Sequence, residues 1–173
     1  MPHIVVSPLS RLAESATHFG ARDLVTLINI GTPVLRPVEI TEDRHLFLGF
    51  NDIIEPMEGM TLPAAEHIER LLDFSKRWDR QAPLLIHCFA GISRSTAGAY
   101  ITALALNPAL DEVVLAQTLR RNAPSATPNS RLIALADDML GRRGRMVDAI
   151  KAIGRGEEAF EGTPFILPLG AAT

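Results

Sequence analysis

The run Leu84-Leu85-Ile86-His87-Cys88-Phe89-Ala90-Gly91-Ile92-Ser93-Arg94-Ser95 decides how this chain is read. With Pro83 ahead of it, the opening is a brief apolar strand. Ala90-Gly91 then marks a tight turn, and a long helical stretch runs from about Arg94 to Leu106. Successive backbone N–H groups in such a turn point inward as a nest, and the helix start adds free donors and a positive dipole end. A dianion fits that nest. The planar fork of Arg94 can clamp two of its oxygens, which a lysine would do less well. Gly91 permits the backbone angles or the close approach that the turn needs. Cys88 lies in the same field, and thiols at helix N-termini or beside cations ionise more readily than free ones. One loop would thus hold a phosphoryl group against a sulfur placed for in-line attack, with its amides and arginine binding the equatorial oxygens.

Outward from this loop the chain alternates strands and helices. His3–Val6 reads as a strand, with Ser7-Pro8 as the cap and first residue of a helix that stops near Gly20. Asp23–Ile30 is apolar on both faces, as a central strand is. The proline-rich residues 32–39 read as an irregular link or edge strand, and His45–Phe50 as another strand leaving into a loop that carries Asp52 and Glu55. Apolar residues recur at helical spacing from Pro63 to Trp78, with Thr61 upstream as cap. Further helices are expected after Asp111-Glu112, over 129–140 and over 144–153. Asp137-Asp138 and Arg142-Arg143 read as a solvated helix and its end. The fold class expected is α/β, a small mostly parallel central sheet flanked by helices on both faces. Residues 1–154 form one catalytic domain in this reading, and 155–173 an extended C-terminal tail.

Composition narrows the function. The 173 residues are 47% hydrophobic and 21% charged, enough to bury a core. A net charge of -3 gives no pull toward nucleic acid or anionic membrane. The opening Met1-Pro2-His3-Ile4-Val5-Val6 lacks a basic region followed by a long apolar one, so a cytoplasmic location is expected. The densest apolar stretch, Ala97–Leu106, is about half the roughly 20 residues of a membrane span. A single cysteine excludes an internal disulfide and a thiolate-rich metal site. His3, His18, His45 and His67 show no paired ligand spacing, so neither a metal nor a cofactor is expected.

His-Cys, five residues, then Arg-Ser resembles the signature of the cysteine-dependent protein tyrosine phosphatases, and Ala90-Gly91-x-Ser93-Arg94-Ser95 is most similar to their dual-specificity branch. The strong resemblance covers nine residues; the order of strand, acid loop, helix, strand, nucleophile loop and helix extends it more weakly over 45–106. It implies the phosphatase fold. It implies Cys88 as the nucleophile of a phosphocysteine intermediate, Arg94 as the phosphate clamp, and Ser95 as the hydroxyl that stabilises the departing thiolate. The backbone amides of Phe89, Ala90, Gly91, Ile92, Ser93 and Arg94 match the phosphate cradle, and His87 a residue that orders the loop. The family's general acid falls on Asp52, with Glu55 and Asp43 as alternatives, although Phe50-Asn51 stands where the family carries tryptophan-proline. Arg121, or equally Arg120, and the step Pro128-Asn129 match loop-bracing residues. The expected substrate is a phosphotyrosine, phosphoserine or phosphothreonine ester on a protein, or a small phosphate ester, since the loop lacks the lysines that suit inositol lipids. A rhodanese-like sulfurtransferase is the first rival, but its loop has one residue fewer before the arginine. A non-catalytic phosphate-binding module on the same scaffold is the second. An arsenate reductase would need accessory cysteines.

Overall fold

The structure, a computed structural model, describes residues 1–170. Its sheet has five strands in the order β3-β2-β4-β1-β5: β1 His3–Pro8, β2 Asp23–Ile28, β3 His45–Gly49, β4 Leu84–Cys88 and β5 Phe165–Pro168. The first four are mutually parallel, and β5 runs antiparallel along β1. β2 and β4 are buried throughout, as befits strands covered on both faces. The edge strands alternate instead: Leu46 and Leu48 point in around exposed Phe47, and Phe165 and Leu167 around exposed Ile166.

Helices lie on both faces, unevenly. α1 (Leu12–Phe19) and Ile40 cover Val5, Leu24 and Leu85 on one side. On the other, α2 (Ala65–Arg77), α3 (Arg94–Leu106), α4 (Glu112–Asn122), α5 (Ser130–Met139) and α6 (Arg145–Ile153) bury Ile4, Val6, Val25, Leu27, Leu84 and Ile86. α3 is buried from Arg94 to Leu104 and forms the spine of this layer. No described helix is long and apolar enough to cross a membrane.

Four readings are corrected. Pro8 does not open a helix; it is the last residue of β1, paired with Cys88, and its φ of -73° and ψ of 159° suit an extended end. Ser7 caps nothing, because its hydroxyl bonds Pro8 O and accepts from Ser15. Thr61 is not the α2 cap: the helix starts beyond Ala64, whose N–H donates to His67 Nδ1 at 2.9 Å. Asp137 and Arg142 are not solvated. Asp137 accepts from the backbone of Gly144 and Met146 at 2.7 and 2.8 Å, capping the start of α6, and Arg142 pairs with buried Glu112 at 2.9 Å. Finally, residues 155–170 are not an extended tail, because 165–168 complete the sheet; 171–173 lie outside the described residues.

Candidate active site

Every parallel strand delivers one part of the site at its carboxyl end. β4 ends on Cys88, β2 is followed by Asn29, β3 by Phe50 and Asp52, and the end of β1 backs the loop through Ser7, Pro8 and Leu9. This is where open α/β sheets place their ligands.

Backbone accounting explains the loop's shape. Phe89 O accepts from Leu9 N–H at 3.0 Å, Ala90 O from Gly162 N–H at 2.7 Å, Ile92 O from Thr127 N–H at 2.9 Å, and Ser93 O from Ala97 and Asn129 N–H. A trans peptide carries its N–H opposite its carbonyl. Carbonyls tied outward to the surrounding chain therefore turn the amides of Ala90, Gly91, Ser93 and Arg94 to the inner side. Gly91 N–H reaches Cys88 Sγ at 3.3 Å, and Ser95 Oγ stands 3.1 Å from the same sulfur. Gly91 is required twice: its φ is +69°, and a Cβ would sit 2.8 Å from Pro8 N.

Arg94 is aimed in advance. Its Nη1 donates to Asn29 Oδ1 at 2.6 Å and to Phe50 O at 2.8 Å, while its buried Nε meets no acceptor among the described residues. A buried guanidinium N–H without an acceptor is costly, and an oxyanion in the cradle would relieve it. Asp52 overhangs the loop from the far side, where its Oδ1 accepts from Ser93 Oγ and Asn129 Nδ2, both at 2.8 Å. Of the alternatives, Asp43 lies in the turn before β3, at the opposite end of that strand from Asp52. Glu55 is exposed on the loop beyond Asp52.

His87 is fully buried beneath the loop. Burial, reinforced by the charges of His45 and Arg94, lowers its pKa to about 4, against the pull of its bond to Cys88 O. The ring is therefore neutral at pH 7. Because Nδ1 lies 3.0 Å from Cys88 O, which can only accept, Nδ1 carries the proton and Nε2 accepts from Thr26 Oγ1 at 2.7 Å. Thr26 Oγ1 must then accept from His45 Nε2, also at 2.7 Å. The result is a directed chain from half-buried His45 to the Cys88 carbonyl.

Arg120, not Arg121, does the bracing. It donates to Ala123, Pro124 and Ala126 carbonyls and to Gly154 O, holding the segment whose Thr127 supports Ile92, whereas among the described residues Arg121 donates only to Thr118 Oγ1. Asn29, Thr26, His45 and Gly162 escaped the sequence reading. Asn29 had one signal, a polar residue at the exit of an otherwise apolar strand. From Asp52 and Ser93 a cleft of about 890 Å³ extends past Thr127 to Lys151, Arg155 and Phe160. No group of three or more histidine, cysteine or acidic side chains among the described residues is placed to hold a metal ion.

Comparison of the fold gives a consistent class. A mouse protein described as a dual specificity phosphatase, complexed with zinc tungstate, superposes with a TM-score of 0.60 at 18% identity, over 83% of this chain and 84% of its own. Human DUSP28 gives 0.59 at 16% identity, covering 86% and 94%. The PTP-2 phosphatase of Cydia pomonella gives 0.60 at 21%, covering 77% and 83%. No family model matches the chain, and no curated protein matches it by sequence. The fold is that of the protein tyrosine and dual-specificity phosphatases.

Proposed function

We propose that this chain is a phosphoric monoester hydrolase working through a phosphocysteine at Cys88. The observation that carries the reading is the sulfur itself: buried at a strand end, it faces Gly91 N–H and Ser95 Oγ inside a loop of inward amides that Arg94 closes. The Cys88 thiolate attacks phosphorus, a P–S bond forms, and the ester P–O bond breaks as Asp52 gives its proton to the leaving oxygen. Water then attacks the phosphocysteine, Asp52 takes a proton from it, and the sulfur leaves as a thiolate that Ser95 can hydrogen-bond. The amides of Phe89 to Arg94 and the Arg94 fork hold the equatorial oxygens throughout. His87 keeps the Cys88 carbonyl fixed. The mouse neighbour is complexed with zinc tungstate, and tungstate is a tetrahedral oxyanion like phosphate, which supports oxyanion binding on this fold.

A phosphotyrosine ester is the favoured substrate, with phosphoserine and phosphothreonine as further ones. The loop offers no lysine for a highly charged headgroup, and the cleft begins at Asp52, on the leaving-group side, with room for more than a small alcohol.

Hydrolysis of p-nitrophenyl phosphate from pH 5 to 8 without metal tests this. Wild type should turn over, Cys88→Ser should not, and Asp52→Asn should lose roughly 10²–10⁴ in kcat. Vanadate should inhibit. Oxyanion binding that depends on Arg94 without any turnover would overturn hydrolysis in favour of a binding module.

A further inference from the structure

Residues 154–164 run between α6 and β5 along the outside of the nucleophile loop. Gly154 O accepts from Arg120, Gly156 N–H donates to Thr127 Oγ1 at 3.1 Å, and Glu157 N–H to Pro124 O at 2.9 Å. On the other side Ser10 Oγ donates to Glu161 Oε2 at 2.6 Å, and the next residue, Gly162, donates its N–H to Ala90 O at 2.7 Å. The segment is thus tied to both flanks of the loop and touches its middle.

The middle is one peptide plane. Ala90 O and Gly91 N–H belong to the same trans peptide and point in opposite directions. The oxygen meets Gly162; the hydrogen meets Cys88 Sγ at 3.3 Å. Within the loop only the Gly91 N–H···Sγ bond holds this orientation, and glycine accepts either sign of φ, so the plane before Gly91 can turn over. Turned over, it would face the sulfur with a carbonyl oxygen, which repels a thiolate. Only the observed arrangement lets Ala90 O accept from Gly162 N–H. Gly162 must also be a glycine, since a Cβ at 162 would lie 2.8 Å from Gly91 O, a backbone atom that cannot swing aside.

We infer that Gly162 is a positioning residue for the nucleophile: its N–H, acting through the Ala90–Gly91 peptide, aims the Gly91 amide at Cys88 Sγ. For its consequence in turnover this rests on the phosphatase reading; for the state of the sulfur it does not.

Cys88 is the only cysteine, so alkylation by iodoacetamide reports on one thiol, read as a mass shift across pH. Gly162→Ala should move the midpoint of that profile upward by about 0.5 pH unit or more, as loss of a donor to a thiolate requires. It should also lower kcat for p-nitrophenyl phosphate about tenfold or more. A Gly162→Ala protein that melts cooperatively with a wild-type alkylation profile would overturn the inference. Should that variant not fold, Ser10→Ala, which frees Glu161 beside it, decides: a smaller shift in the same direction supports the role, and an unchanged profile refutes it. A shifted profile in a wild-type background that hydrolyses no ester would instead remove the phosphatase reading and leave the role of Gly162 standing.

Discussion

Asn129 serves two elements with one amide group. Its Oδ1 accepts from Leu132 N–H at 3.0 Å and so caps α5, while its Nδ2 donates to Asp52 Oδ1 and to Ile53 O. The two functions separate by substitution. Asn129→Asp keeps an N-cap acceptor but replaces the donor with a second carboxylate beside Asp52. The cap on α5 should be kept, and kcat should fall about tenfold or more. Asn129→Ala should lose both, with about 1 kcal/mol of stability gone. The candidate residues His87, Cys88, Arg94 and Ser95 were legible as a group because they lie in one short run of the chain. Thr26 and His45 were not. Thr26 meets His87 through the register of β2 on β4, and His45 comes from the neighbouring strand on the other side, a pairing that no single strand's sequence records.

The strands and helices that surround the loop were legible for a related reason. β2 and β4 are buried and mostly apolar runs, and α4 announces itself through Asp111, which does accept from Val114 N–H at 2.9 Å. β5 was not legible, because it has only four residues, Phe165–Pro168, with Pro164 ahead of it and a proline at its own end, and a short alternating run there looks like any loop. Its contribution is measurable. Leu167 is fully buried against the main core and Phe165 nearly so. Leu167→Ala should cost about 2–5 kcal/mol by denaturant unfolding, the usual range for an emptied core site. A change under about 0.5 kcal/mol would return the segment to the status of a tail.

At the scale of the molecule, stability should depend on pH through His87. Its folded pKa of about 4 lies below the ordinary 6.5, so between those values the unfolded chain binds more protons than the folded one. Stability is then full above pH 6.5 and falls as pH drops toward 4, by an amount on the order of 3 kcal/mol. Urea unfolding at a series of pH values should show that slope, and His87→Asn should flatten it. Loss of the slope in neither case would mean that His87 is not the group responsible. The contact of Gly162 with Ala90 also has a consequence in time. Protein chains emerge from the ribosome N-terminus first, at about 5–20 residues per second, so the loop that bears Cys88 is made on the order of seconds before the residue that holds its peptide plane. During that interval the nascent chain carries its sulfur without the aim that the finished molecule gives it. The bond from Gly162 N–H to Ala90 O can thus form only after α3, α4, α5 and α6 have been made.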